Sequence, residues 1–437
     1  MKAKRKFAGV VAVLAAVAAS LVIAGDAAAQ TESVLHSFGN TGDGYWPYGN
    51  LISDASGNLF GTASQTNGVK CDGVVFCYGM VYELSPAVGG WTETILHYFA
   101  GYADGGNPMA GLIMDKAGNI YGTTREGGAS NDTNPGAVFE LSPSSDGTWT
   151  EKILWSFYSA PYDGVNPTTN LVIDPAGNLY GTTEYGGSGG CGDLGVGCGV
   201  VFELSPSSGG RWTEKTIHTF TLNDGDGICP LAGLAMDAVG NLYGTTSGGG
   251  NAGYGTVFEL MPSTGGKWRE KILHRFSNNG KDGYSPTAGV VLDAAGNVYG
   301  VTPQGGLFGR QDAFSGTAFE LSPSKDGGWS EKIIHNFGNF QGDSPSAGLV
   351  FDASGNLYGV TFAYQFNIGG VYELSPGGVG GSWTHKILYT FGPSYGGGYN
   401  PAGSLMLDSS GNLYGTTVWG GVYGAVPQDG TVYEVTP

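Results

Sequence analysis

The string DAAGNVYGVT, residues 293–302, returns in altered form along the whole chain. Its opening pattern, Asp-x-x-Gly-Asn, begins again at Asp54, Asp115, Asp174, Asp237, Asp293, Asp352 and Asp408, at intervals of 56 to 63 residues. A period of this length marks stacked or ring-forming structural units. Asp at the first position and Gly at the fourth suit a type I turn followed by a left-handed residue, because the carboxylate caps the turn and Gly tolerates positive φ. A catalytic or calcium role for seven separate Asp residues is the weaker reading, since each stands in its own repeat without a second carboxylate at ligand spacing.

Three more pieces recur around each turn. Ahead of it lies a run such as AGLIMD (residues 110–115); after it come NLYGTT (178–183) and VFELSP (201–206). A Gly-containing turn then leads to text such as WTEKILWSF (149–157). Each piece is rich in β-branched and aromatic residues and bounded by Gly, Asp, Asn, Ser or Pro, which predicts four antiparallel strands per unit. The 81 glycines show no three-residue period, so they read as turn glycines.

Residues 32–38, ESVLHSF, are a lone fourth strand, and residues 432–437, VYEVTP, are a third strand lacking its fourth. The two halves complete one unit. An all-β fold is therefore expected: a seven-bladed β-propeller with four antiparallel strands per blade, its last blade closed between N- and C-terminal strands. Such closure removes sheet edges that an open solenoid would have to cap.

Residues 1–29 join a basic start (Lys2, Lys4, Arg5, Lys6) to an apolar run ending in Ala27, Ala28 and Ala29. They read as a signal peptide, leaving residues 30–437 as the propeller. No other stretch approaches the ~18 consecutive apolar residues that a membrane span requires. The expectation is a monomer that is secreted, periplasmic or at the cell surface. A formal net charge of −18 argues against nucleic acid as a partner.

The stretch PLAGLAMDAVGNLYGTT (residues 230–246) resembles the first half of an NHL-type propeller repeat. With its VFELSP-like and EKILHRF strings, the full unit resembles the GloVer tandem repeats of exported bacterial proteins, across residues 31–437. The resemblance implies a propeller-like exported protein and brings no activity with it.

His36, His97, His218, His274 and His335 share one place in the fourth strand, which Trp155 and Tyr389 occupy in the other two blades. A position that takes all three residue types calls for a large flat side chain. Histidines on separate blades are also too far apart to share a zinc ion, whose ligands lie at ~2.0–2.1 Å, so neither metal nor cofactor is expected. Glu83, Glu140, Glu203, Glu259, Glu320, Glu373 and Glu434 are expected to make cross-strand charge pairs with Lys152, Lys215, Lys271, Lys332 and Lys386 on the following strand. The string NDGDG (223–227) reads as an Asx-rich turn.

Function is sought where the repeats differ. Nearly all length variation falls in the second-to-third connection, which shares a face with the fourth-to-first connection. Directly after the Gly-Thr-Thr pieces stand the candidate ligand-binding residues Arg125, Glu126, Glu184, Tyr185, Gln304 and Trp419. The other connections of that face carry Tyr45, Trp46, Tyr48, Tyr102, Tyr162, Tyr284, Tyr395 and Tyr399. Aromatic planes beside Glu, Arg and Gln suit a sugar ring, with its apolar C–H face and hydroxyl rim. The favoured reading is an exported binding or scaffold module for an extracellular glycan or cell-surface polymer, with no catalytic residues assigned. The alternative is a hydrolase or lyase acting on a polysaccharide or small molecule at the same face. Glu126 and Glu184 would then be the carboxylates whose separation matters.

Five cysteines in an exported chain cannot all pair within one molecule. Cys71 with Cys77 and Cys191 with Cys198 close loops in equivalent connections and are the first choice of disulfides. Cys229 is left over, with Cys198–Cys229 as the second-ranked pairing.

Overall fold

Each Asp-x-x-Gly-Asn segment closes as its residues require. In the first, Asp54 Oδ1 accepts hydrogen bonds from the Ser56 and Asn58 amides at 2.8 and 2.9 Å, and Asn58 Nδ2 donates to Oδ2 at 2.9 Å. Gly57 has φ 83°, a conformation that costs glycine nothing and other residues dearly. The same set of bonds recurs around Asp115, Asp174, Asp237, Asp293, Asp352 and Asp408. The repeated string is a turn.

The computed structural model describes residues 31–437 except 72–75, 129–133, 159–162, 189, 192–196, 310–314, 339–343, 363–368, 379–380, 393–396 and 423–428. The expected signal segment, Tyr162 and Tyr395 lie outside the described residues. Seven four-stranded antiparallel sheets follow one another as the blades of a propeller. Blade three is typical: Val172–Ile173, Leu179–Thr183, Val200–Ser207 and Arg211–Thr219 lie side by side in that order. Among the described residues the only helical pieces are two three-residue 3-10 turns, Tyr102–Asp104 and Thr264–Gly266. None is long and apolar enough to cross a membrane.

The first strand is shorter than its sequence suggests. Only Ile113–Met114 of the AGLIMD piece joins the sheet. The preceding Ala-Gly-Leu segments crowd together where adjacent blades meet near the axis. A Cβ on Gly49 would lie 2.6 Å from the carbonyl oxygen of Ala110, and one on Gly403 would lie 2.7 Å from that of Gly49. Threonines of the second strands fasten these segments to the neighbouring blade: Thr62 Oγ1 donates to Ala110 O at 2.9 Å, and Thr245 Oγ1 to Ala288 O at 2.9 Å.

The core lies between blades. Tyr121, Val138, Leu154 and Phe157 of blade two pack on Leu171, Leu179, Phe202 and Leu204 of blade three. Phe157 meets Phe202 edge to face at 5.1 Å, and both are fully buried. Such side chains each stabilise the fold by roughly 1.5–3 kcal/mol, so the blades hold one another in place. Two expected charge pairs form, Lys215 with Glu203 at 3.8 Å and Lys332 with Glu320 at 3.7 Å. Lys152 and Lys271 instead donate to the carbonyls of Gly210 and Gly327 on the next blade, at 2.7 and 2.9 Å.

The ring closes as expected. Thr31–Ser37 pairs antiparallel with Thr431–Thr436, from Thr31 opposite Thr436 to Ser37 opposite Thr431. Disulfides join Cys71 to Cys77 and Cys191 to Cys198, and Cys229 is free.

Candidate functional site

The fourth-to-first and second-to-third connections do share a face, and two-residue ribbons tie them together. Gly164–Val165 pairs with Tyr185–Gly186, and Gly283–Tyr284 pairs with Gln304–Gly305. The last Thr of Gly-Thr-Thr, or of Gly-Val-Thr in blade five, braces the bend that follows: Thr183 Oγ1 donates to Tyr185 O at 2.7 Å, and Thr302 Oγ1 to Gln304 O at 3.0 Å.

A left-handed residue before a proline aims the next side chains. Asn107, Asn166, Cys229 and Asn400 have φ 55–57° and precede Pro108, Pro167, Pro230 and Pro401. Asn reaches this conformation more readily than most residues. The Asn107 carbonyl receives the Arg125 amide at 3.1 Å, and the Asn166 carbonyl receives that of Glu184 at 3.1 Å. Both side chains are thereby set at a cavity of ≈ 670 Å³ on the axis, whose lining also includes Tyr48, Asn50, Asn170 and Leu231. Asn170 Nδ2 donates to Asn50 Oδ1, while Asn170 Oδ1 accepts from the Gly111 amide at 2.6 Å. The amides are thus fixed in orientation before any ligand arrives.

The six candidates do not converge. Arg125 and Glu184 line the axial cavity. Glu126 lines a separate cleft with Tyr78 and Tyr102, accepting from Asn107 Nδ2 at 3.2 Å while its Oε1 stays 3.8 Å from Arg125 Nη1. Tyr185 hydrogen-bonds Glu184, which with burial pushes its phenol up to about 12. Gln304 is exposed beside Tyr284. Trp419 packs on Tyr399 at 5.8 Å and on the hydrophobic cluster between the last two blades. Cys229 lies near Glu184, and burial followed by that carboxylate raises its thiol.

A second set of polar side chains sits between blades, and the repeat pattern alone does not reveal it. His36 meets Asp43 at 3.3 Å and Glu93 of the next blade at 3.6 Å. Equivalent groups join His97, Asp104 and Glu151; His218, Asp226 and Glu270; and His274, Asp282 and Glu331. The NDGDG string contributes Asp226 to one of them. Burial pushes Glu93, Glu151, Glu270 and Glu331 up to about 7. The other junctions differ: Asp163 and Glu214 accompany Trp155, His335 stacks on His385 at 4.3 Å, and Tyr389 bonds Glu32. The histidine position does hold a flat ring, as expected, but at His36, His97, His218 and His274 the Nε2 atom faces carboxylates.

A family model described as the Gloeobacter/Verrucomicrobia repeat matches residues 68–314. No curated protein matches the chain. Among solved structures, the periplasmic gluconolactonase of Pseudomonas aeruginosa is 16% identical, with a TM-score of 0.48 over 79% of this chain and 85% of that one. A polysaccharide lyase is 11% identical, with a TM-score of 0.49 over 91% of each chain. At such identities neither activity carries over.

Proposed function

This chain belongs to the Gloeobacter/Verrucomicrobia repeat family, and we propose that it is an exported binding module whose axial cavity takes a carbohydrate. The observation that carries this reading is the placement of Arg125 and Glu184, from neighbouring blades, on the wall of one cavity with the paired amides of Asn50 and Asn170. Its volume of ≈ 670 Å³ lies within the usual span for small-ligand sites, roughly 300–1,000 Å³. A guanidinium offers fixed donors, a carboxylate offers acceptors, and Asn offers both, which together match the hydroxyls of a sugar ring. Tyr48 and Leu231 supply apolar surface for its C–H face.

Binding is favoured over hydrolysis because, among the described residues, Glu184 is the one carboxylate lining the cavity. Two-carboxylate glycoside hydrolysis needs a flanking pair. Export is supported by the two disulfides, which persist in oxidising compartments.

The test is a screen of the purified protein on a panel of oligosaccharides, followed by calorimetry with Arg125→Ala and Glu184→Gln. At least tenfold weaker binding is expected in each variant, with the sugar recovered intact by mass spectrometry. Absence of any glycan ligand, or equal affinity in both variants, would overturn the site; cleaved product would move the protein to the hydrolase or lyase class.

A further inference from the structure

We propose that four of the seven blade junctions are sites for a divalent ion of the zinc class, each built from one imidazole and two carboxylates. They are the groups of His36, Asp43 and Glu93; His97, Asp104 and Glu151; His218, Asp226 and Glu270; and His274, Asp282 and Glu331. The inference does not rest on the axial cavity.

Geometry is the first argument. In every group the three ligand atoms lie within 4.8 Å of one another. The close separations from His Nε2 to a carboxylate oxygen run from 3.2 to 3.6 Å. Tetrahedral bonds of about 2.0–2.1 Å place neighbouring ligand atoms about 3.3–3.4 Å apart, a spacing that these His-to-carboxylate separations already match within tenths of an ångström. The histidine side chains are 17–21% exposed, which leaves a way in and a place for water as fourth ligand.

Unpaired atoms are the second argument. Glu93 Oε1, Glu151 Oε1, Glu270 Oε1 and Glu331 Oε1 are all buried without a hydrogen-bond partner. In three of the groups this is the very oxygen facing His Nε2. His218 Nε2 lacks a hydrogen bond as well. Leaving a buried carboxylate oxygen without a donor is costly, and the chain does so at four equivalent places. A doubly charged cation would satisfy all three ligand atoms at once and balance two carboxylates beside a neutral imidazole.

The surroundings suit that role. The second oxygen of Asp43 accepts the Gly44 amide at 2.7 Å, and that of Asp226 accepts the Gly227 amide at 2.6 Å, so backbone donors orient the ligands from behind. An imidazole ligand selects zinc-like ions over calcium or magnesium. The remaining junctions are built-in controls: Trp155 replaces the imidazole in one, His385 stands where the others have Glu in another, and Tyr389 replaces the imidazole in the third. Because each Glu comes from the following blade, a bound ion would clamp adjacent blades together.

The purified full chain, stripped with a chelator and equilibrated with zinc chloride, should retain close to four ions per chain by elemental mass spectrometry after gel filtration. Each of Glu93→Gln, Glu151→Gln, Glu270→Gln and Glu331→Gln should retain one fewer. His97→Trp should also lose one; it places at that junction the residue the chain itself uses at 155, and melting curves check its fold. Cobalt(II) loading of the unaltered protein should give the visible absorption of a tetrahedral site, a readout that needs no variant. Less than one ion per chain in excess zinc would overturn the proposal and leave a shared proton as the cation of these groups, as would full retention when all four Glu are replaced.

Discussion

The phenol of Tyr389 donates to Glu32 Oε2 at 2.8 Å, joining the outer strand of blade six to the strand that completes blade seven. Tyr389 occupies the histidine position of its blade and Glu32 the glutamate position of the next, so this contact is the junction motif with a phenol in place of the imidazole. Burial raises the Glu32 carboxyl despite the hydrogen bond. Tyr389→Phe removes that bond and is expected to cost about 1–3 kcal/mol, read as a lower urea midpoint with unchanged slope.

Trp419 and Arg125 separate stability from binding. Trp419→Ala strips a ring from the packing against Tyr399 and is expected to lower stability by about 2 kcal/mol. Its affinity for any ligand of the axial cavity should stay within twofold of the unaltered chain. The reverse pattern is expected for Arg125→Ala, and calorimetry paired with melting curves checks both.

At the axis, Gly403→Ala would set a methyl group 2.7 Å from the Gly49 carbonyl oxygen. Neither backbone can yield easily, and a loss of about 1–3 kcal/mol is expected in chemical denaturation. Gly147→Ala, whose added carbon meets nothing within 4 Å, should instead suffer only the strain of its φ of 85°.

Acid should loosen the junction between blades five and six. Burial, and then the charge of His385, pushes His335 from an ordinary 6.5 down to about 4. Between those values the unfolded chain holds more protons than the folded one, so stability present above pH 6.5 is lost as pH falls toward 4. His385→Glu restores the carboxylate found at the other junctions and should reduce the difference in urea midpoint between pH 7 and pH 5.

The short disulfide loops invite a covalent test. Peptide mapping without reductant should recover Cys71 linked to Cys77 and Cys191 linked to Cys198, with Cys229 alkylated. Its raised thiol pKa should make that alkylation slow at pH 7 and faster with rising pH. Replacing Cys71 and Cys77 with Ser is expected to cost about 2 kcal/mol on the loop-entropy model.

Much of this was readable from residues alone because the repeat states its requirements seven times. Asp54 and Gly57 belong to one local turn, and the chemistry that fixes them lies within five residues of chain. The loop positions of Arg125 and Glu184 were legible for a related reason: they are where the repeats stop agreeing. Convergence on the axis was not legible, since adjacent residues such as Arg125 and Glu126 point to different clefts. The interblade groups escaped notice because His36 and Glu93 are a full repeat apart and meet only when one sheet is laid on the next. A signal could have been found in the pairing itself, since a His one repeat ahead of a Glu recurs at four junctions and each of the other three changes just one member of that pair.

Thr31 lies opposite Thr436 at one end of the closing ladder. Opposed forces applied at these two residues would therefore fall on a single terminal pair and open the ladder bond by bond, as a zip, rather than shear all of it at once. A ring held together by seven interlocked blades would still yield to a weak mechanical pull at that seam.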